Sequence, residues 1–229
     1  MRADRFCFDK DRKKFIVRVG ILRTILGRYV GVEPNALRFI YGKRGKPMLA
    51  DLFLNGSIHF SMSHSEGLAL YAFTCDHEMG VDTEFIRDIP EMDQIAERFF
   101  SARENAVFRS LPASKKREAF FNYWTRKEAF IKAVGEGLYL PLDAFDVSLV
   151  PGKPARLLRT DENLGIASRW FIQELKPAPG FAGALALERP VPVCYYQGLE
   201  QDKCVQQKSP LAIPPRASTI KPKGVHPEW

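Results

Sequence analysis

The sequence predicts an α+β protein built mostly from antiparallel sheets. Candidate strands and helices come in mixed order, without the regular alternation that produces a doubly wound parallel sheet. Two of the candidate strands are separated only by a polar turn at residues 65–67, as in a hairpin. With 229 residues, 45% of them hydrophobic, the chain can bury a substantial core in one domain or in two small lobes.

The first elements follow from local patterns. Residues 11–30 place Phe15, Val19, Leu22 and Leu26 at the spacing of an amphipathic helix. Glycines and a proline in the stretch 41–47 argue against regular structure there. Residues 57–64, 68–75 and 79–85 have the composition of short strands.

The second half of the chain begins with helices. Ser101 and Glu104 form the pattern of a capping box, which predicts that a helix begins there after another ends near Phe100. Residues 115–134 form a helix that ends near Gly135 and Gly137. Further strands are predicted at 145–150, 168–175 and 183–187, and residues 205–229 form a Pro/Lys-rich tail that we expect to be loosely ordered.

The composition bounds the class of protein. No stretch approaches the roughly 20 apolar residues needed to cross a bilayer, and the charged N-terminus lacks the apolar centre of a signal peptide. We therefore expect a cytoplasmic protein without a membrane partner, with its cysteines reduced; these are Cys7, Cys75, Cys194 and Cys204.

Charge is distributed unevenly along the chain. Residues 1–50 carry 13 Lys and Arg against 4 Asp and Glu, residues 51–202 carry 16 against 22, and residues 203–229 carry 5 against 1. A basic segment beside an acidic one suggests an anionic ligand that meets a metal site. Attraction to nucleic acid fits the charge equally well, so charge alone does not decide.

The segment GVDTE contains the first candidate site. Because alternate residues of a strand share a face, Asp82 and Glu84 point the same way. Two neighbouring carboxylates suit Mg²⁺, a hard cation that often shares its ligands with phosphate. The alternative is a pair of solvated acids on an exposed edge.

The segment WTRKEAFIK contains the second. On a helix, Trp124, Glu128 and Lys132 form one stripe, and their apolar neighbours predict that most of the helix is buried. A charged pair on such a helix suggests function, although a surface ion pair would have the same spacing.

Two further segments could contact phosphate. Ser61, Ser63 and His64 lie where a strand gives way to a turn, and the serines are not surrounded by the G-x-S-x-G elbow that is typical of α/β-hydrolases. In KRGKP, three cations, Lys43, Arg44 and Lys46, surround a glycine that permits close approach of a ligand. An ordinary basic loop is the alternative.

In this order the segments resemble the signature of the 4′-phosphopantetheinyl transferase superfamily, and more closely its longer, monomeric Sfp-like class. The resemblance covers roughly residues 5–150. The segments that carry it are GKP (45–47), FSMSHS (60–65), GVDTE (80–84), RFFS (98–101), WTRKEAFIKAVGEGL (124–138) and LPL (140–142).

The resemblance implies a role for each site residue. Asp82, Glu84 and Glu128 would coordinate Mg²⁺ together with the diphosphate of coenzyme A. Ser63, His64 and Lys132 would contact the phosphates, and Lys10, Arg44 and Lys46 would lie toward the 3′-phosphate and adenine. Glu128 would also accept the proton of a serine of an apo carrier protein or carrier domain, whose hydroxyl attacks the β-phosphorus and releases 3′,5′-ADP.

The implied fold is a monomeric pseudo-dimer of two similar α+β lobes with coenzyme A in the cleft between them. We expect an N-terminal lobe at 1–78, a C-terminal lobe with the metal site at 79–204 and the tail at 205–229. Members of the family usually have some tens of residues before the segment that matches 5–15. We therefore expect either that the first lobe lacks its first strand or that the true start lies upstream.

Two other hypotheses remain open from the sequence. A nucleic-acid-binding protein that uses the basic N-terminal helix and tail would bind DNA or RNA in a salt-sensitive manner and tolerate Asp82→Ala. A non-catalytic relative would bind coenzyme A without transferring its arm.

Overall fold

The computed structural model describes residues 8–50, 58–161 and 167–189, and the backbone of residues 199–200 and 203–204. The helices are α1 (Asp9–Val30), α2 (Met92–Phe99), α3 (Ala102–Ser110) and α4 (Ala113–Val134). The strands are β1 (Phe39–Tyr41), β2 (Pro47–Leu49), β3 (Ile58–Ser65), β4 (Leu68–Cys75), β5 (Met79–Phe85), β6 (Phe145–Val147), β7 (Leu157–Thr160), β8 (Phe171–Leu175), β9 (Phe181–Leu187), β10 (Leu199–Glu200) and β11 (Lys203–Cys204).

The chain divides into two compact units, Met1–Val191 and Pro192–Trp229. In the second unit β10 and β11 pair as a short antiparallel hairpin. In the first unit β1 pairs with β2, β3 with β4 and β6 with β7, and a three-stranded sheet has the order β5–β9–β8. All these pairs are antiparallel, which confirms the predicted α+β class. Two similar lobes with a boundary near residue 78 and a ligand cleft between them remain a prediction.

Two hydrophobic clusters form the core of the first unit. The smaller one joins α1 to the first hairpins; its buried members are Leu22, Leu26, Leu37, Leu49 and Phe60. The larger one surrounds α4 and includes residues of β6, β8 and β9. None of the helices within the described ranges has the length and apolarity needed to span a bilayer.

Helix α4 is almost completely enclosed. Between Ala119 and Ala133 every residue is buried except Trp124, Glu128 and Lys132, which are half-buried and recur at every fourth position. The stripe that the sequence predicted is therefore the one face of this segment that is not fully buried. The helix ends at Gly135, whose φ of 82° is a left-handed conformation that suits glycine.

A glycine lets α4 cross β5 at close range. A Cβ atom on Gly80 would lie 2.1 Å from the carbonyl oxygen of Ala129 and 2.4 Å from the amide nitrogen of Ala133. The absence of a side chain at Gly80 is thus what brings the backbone of α4 against β5. As a result Lys132 and Glu128 of α4 interact with the two acids of GVDTE.

Several predicted bounds are confirmed and others are wrong. Helices α1 and α4, strands β3, β4 and β5 and the capping box at Ser101 occur where the sequence predicted them. The stretch 41–47 is a turn, but its two ends belong to the paired strands β1 and β2, which are too short to show a periodic pattern. Strand β6 ends at Val147, residues 167–169 form a 3₁₀ turn before β8, and β7 was not predicted.

The cysteine and tail predictions fall largely outside the described residues. Cys75 is a free, exposed thiol. Cys7 and Cys194 lie outside the described ranges, and of Cys204 only the backbone is described. The tail at 205–229 also lies outside them.

Candidate active site

The candidate site lies along the line where β3 runs beside β5. These strands belong to different sheets, and serine hydroxyls of β3 accept hydrogen bonds from backbone N–H groups of β5. The bonds advance in the same direction along both strands, so the strands run parallel. The donor and acceptor pairs are Val81 to Ser61 (3.1 Å), Thr83 to Ser63 (3.3 Å) and Phe85 to Ser65 (3.0 Å).

Asp82 lies at the centre of the site and is 4% exposed. Its Oδ1 atom accepts hydrogen bonds from the hydroxyl of Ser63 and from the ammonium group of Lys132, both at 2.7 Å. Its Oδ2 atom is buried without a hydrogen-bond partner. Burial raises the pKa of Asp82 above its usual value, although Lys132 and Ser63 act in the opposite direction. One oxygen of a buried carboxylate is therefore left for a ligand.

Glu84 and Glu128 complete a group of acids around Asp82. The hydroxyl of Ser65 donates a hydrogen bond of 2.9 Å to Oε2 of Glu84, which is half-buried. Burial raises the pKa of Glu84, and the charge of Asp82 raises it further. The pKa of Glu128 is raised by burial first and then by the charges of Asp82 and Glu84. The strand acids and the helix acid therefore share one electrostatic environment.

Cations face this group from two helices. The ammonium group of Lys132 on α4 donates to Oδ1 of Asp82 and, at 3.3 Å, to the carbonyl of Val81. The pKa of His64 is lowered by burial and then by the charges of Arg18, Lys132 and Lys14. His64 is therefore neutral at pH 7, and it lies in a positive field to which α1 contributes Lys14 and Arg18.

These motifs are matched in known proteins. A family model of the 4′-phosphopantetheinyl transferase superfamily matches residues 78–186. The 4′-phosphopantetheinyl transferase HetI of Nostoc sp. is 41% identical over 186 residues, which are 81% of this chain and 75% of the relative. The chain belongs to the 4′-phosphopantetheinyl transferase superfamily.

Other members are more distant. The 4′-phosphopantetheinyl transferase Sfp of Bacillus subtilis is 29% identical to this transferase over 189 residues, 82% of this chain and 80% of the relative. A solved holo-acyl-carrier-protein synthase of Thermotoga maritima is 24% identical, with a TM-score of 0.39, and covers 48% of this chain and 61% of its own. That structural likeness is too distant to support an argument about this transferase.

The transferase brings most of its predicted site residues together. Asp82, Lys132 and Ser63 are joined by direct hydrogen bonds, and Glu84, Glu128 and His64 interact electrostatically with this group. Whether each has the role that the family resemblance implies remains a prediction.

The residues predicted for the 3′-phosphate lie elsewhere or are engaged. Lys10 is exposed in the first turn of α1. The guanidinium group of Arg44 lies 3.9 Å from the ring centre of Tyr139 and 3.4 Å from the carboxylate of Glu136. The side chains of Lys10 and Arg44 are both exposed to solvent.

Lys46 has the most restricted position of the three. Its ammonium group donates to the carboxylate of Glu78 at 2.6 Å and to the carbonyls of Met79 and Ala133 at 3.3 and 2.8 Å. Because an ammonium group has three protons, all of its donors are in use. Lys46 therefore ties the turn between β1 and β2 to the C-terminal end of α4.

Two charged residues with notable surroundings, Arg18 and Lys127, were not identified from the sequence. The sequence pattern identifies Arg18 only as a non-apolar position of α1. In the structure its Nε atom is buried without a hydrogen-bond partner, and its charge acts on His64 of the site. Lys127 lies within the motif itself and is 1% exposed; its ammonium group lies 3.0 Å from Glu104, which is also buried. It donates as well to the carbonyls of Leu142 (2.6 Å) and Phe145. A lysine on a helix that is predicted to be buried on most sides indicates a buried acidic partner, and this is the signal that points to Lys127.

The three carboxylates fit a divalent cation that has further ligands of its own. Within the described ranges no three His, Cys, Asp or Glu side chains lie close enough together to hold a metal ion by themselves. Mg²⁺, however, keeps several of its waters and takes substrate phosphates as ligands, so the three acids can contact it either directly or through its bound waters. The partnerless Oδ2 of Asp82 and the raised pKa of all three acids fit such a site, because a cation would satisfy the oxygen and offset the repulsion.

Proposed function

We propose that this protein transfers the 4′-phosphopantetheine group of coenzyme A to a serine of an apo carrier protein, with Mg²⁺ held by Asp82, Glu84 and Glu128 and by the coenzyme A diphosphate. The observation that carries the proposal is the ion pair of 2.7 Å between Asp82 and Lys132. It joins the strand motif to the helix motif and sets Glu128 in the same electrostatic group. The protein would work as a monomer in the cytoplasm.

The helix supplies the acid–base chemistry. The serine hydroxyl of the carrier attacks the β-phosphorus, its proton passes to the carboxylate of Glu128, and the bond to 3′,5′-ADP breaks. A raised pKa suits Glu128 to accept this proton, because a base works best when its pKa lies near the working pH. Bound Mg²⁺ would neutralise charge on the diphosphate. Lys132, which is 30% exposed, can contact a phosphate oxygen as well as Asp82.

Hydrogen-bond donors of α1 and β3 would hold the phosphates. The buried, partnerless Nε of Arg18 is a donor that an anion would satisfy. Neutral His64 can donate a hydrogen bond to a phosphate oxygen, while Lys10 and Arg44 would contact the 3′-phosphate end. Ser63 would have to release Asp82 to donate to a phosphate oxygen, because its hydroxyl has a single proton. Lys46 would have to release one of its three present acceptors to do the same.

The test is intact-protein mass spectrometry of an apo carrier incubated with the protein, coenzyme A and Mg²⁺. The carrier should gain one phosphopantetheine group, a chelator should stop the gain and added Mg²⁺ should restore it. Glu128→Gln should slow transfer by about 100-fold or more, because a positioned general base contributes on that order. Glu118→Gln, on the same helix but outside the acid group, is the control and should retain the wild-type rate.

Three results would count against the proposal. Transfer that continues unchanged in the Glu128→Gln variant would remove the base from the mechanism. Coenzyme A binding without transfer to any of several carriers would favour a non-catalytic relative. Salt-sensitive binding to RNA or DNA that is indifferent to Asp82→Ala would favour a nucleic-acid-binding protein.

A further inference from the structure

The three serines of β3 all accept a backbone hydrogen bond from β5, but they differ in whether they donate one to a carboxylate. Ser61, Ser63 and Ser65 each accept a backbone N–H of β5, so each hydroxyl oxygen is fixed in the same way. A hydroxyl has only one proton to donate. Ser63 donates it to Asp82 and Ser65 donates it to Glu84, in each case the residue just before the one whose N–H it accepts.

Ser61 has no carboxylate at the corresponding place on β5. The residue before Val81 is Gly80, which has no side chain and lies against the backbone of α4. Ser61 therefore makes the strand-to-strand bond without holding a carboxylate. The chain thus contains an internal control for the two functions of these serines.

The hydroxyl of Ser65 restricts Glu84 in a defined way. Its hydrogen bond occupies Oε2 at 2.9 Å, and the backbone N–H of Phe85 anchors the hydroxyl oxygen at 3.0 Å. The Oε1 atom of the same carboxylate is left for another ligand. Asp82 shows the same division, with Oδ1 held by Ser63 and Oδ2 buried without a partner.

We propose that Ser65 is a positioning residue that holds Oε2 of Glu84 so that Oε1 is presented to the divalent cation. This inference rests on the proposed function, since it concerns the cation that Asp82, Glu84 and Glu128 would share. Partners that orient a metal-binding carboxylate commonly change metal affinity by about 10- to 100-fold when they are removed. Ser61, which lacks the carboxylate contact, has no such effect.

The experiment compares Ser65→Thr with Ser65→Val. Threonine and valine have the same shape, so the difference between these variants reports the hydroxyl alone. Mn²⁺ binding to the full chain in the presence of coenzyme A, without a carrier, is measured by electron paramagnetic resonance. Ser65→Val should bind Mn²⁺ about 10-fold more weakly than Ser65→Thr, which should stay near wild type.

Ser61→Ala controls for the loss of a bond between the strands. It should lower the urea midpoint of unfolding as Ser65→Ala does, while its Mn²⁺ affinity stays within about two-fold of wild type, because no carboxylate is released. In transfer assays Ser65→Val should raise the Mg²⁺ concentration needed for half-maximal rate more than it lowers the rate at saturating Mg²⁺.

The outcomes separate this inference from the proposed function. Equal Mn²⁺ affinity in Ser65→Thr and Ser65→Val overturns the positioning role while leaving the metal proposal intact. Equal weakening in Ser65→Val and Ser61→Ala also overturns it, because the effect would then come from the contact between the strands. A wild-type protein that binds no Mn²⁺ with coenzyme A present overturns both.

Discussion

The close approach between Gly80 of β5 and the backbone of α4 provides a sharp test of the fold. In Gly80→Ala the new methyl group would lie 2.1 Å from the carbonyl oxygen of Ala129 and 2.4 Å from the amide nitrogen of Ala133. Both atoms belong to a buried helix, so no flexible side chain can yield. Ordinary contact begins near 3.4 Å, and α4 would have to move away from β5 by about 1.3 Å.

Such a movement has two measurable costs. Overpacking of this kind lowers the free energy of unfolding by about 1–3 kcal/mol. The ammonium group of Lys132 would also move away from Asp82, and a displacement of about 1 Å in an active site can slow the reaction by roughly 100-fold. Urea unfolding followed by circular dichroism measures the first effect, and the rate of carrier modification measures the second.

Gly20→Ala is the matched control. Gly20 lies on the exposed face of α1, and a Cβ atom there would have no neighbour within 4 Å. Alanine is the better helix former by about 1 kcal/mol, so this variant should be slightly more stable than wild type. If Gly80→Ala had the stability and rate of the wild-type protein, α4 could not cross β5 as described.

Two further changes test buried or half-buried lysines. Lys127→Met should lower the free energy of unfolding by about 3–5 kcal/mol because it leaves the carboxylate of Glu104 buried without its partner. In a double-mutant cycle, Lys127→Met combined with Glu104→Gln should cost less than the sum of the single changes; additivity would show that the two side chains do not interact. Lys46→Met should lower the free energy of unfolding by about 1–3 kcal/mol, whereas Lys43→Met, in the same turn but exposed, should change it by less than about 0.5 kcal/mol. A raised KM for coenzyme A without loss of stability in Lys46→Met would instead assign Lys46 to phosphate binding.

Local patterns were enough to predict much of the fold. Strand-like composition and the polar turn at residues 65–67 located β3, β4 and β5, and the capping pattern of Ser101 and Glu104 located the start of α3. These signals depend on residues within a few positions of each other. Strands β1 and β2 have three residues each, too few for an alternating pattern to stand out from the turn between them.

The sequence predicted which residues form the site, but not which hydrogen bonds and ion pairs join them. Strand geometry places Ser63 and Ser65 on one face of β3, yet it cannot show which backbone lies opposite, because their partners are 20 residues away. The same holds for Lys127, whose partner Glu104 lies on another helix. In the sequence Lys127 cannot be distinguished from a solvated lysine. Its burial beside Glu104 is visible only in the folded structure.

The near-complete enclosure of α4 has a consequence for how such an enzyme can diversify. From Ala119 to Ala133 only Trp124, Glu128 and Lys132 are not fully buried, and the other side chains of this helix are fixed by the interior. Substitutions that alter recognition of a partner therefore have little room on this segment of α4, because the core fixes most of its side chains. They have more freedom on the β1–β2 hairpin, where Ile40, Tyr41 and Met48 are exposed to solvent.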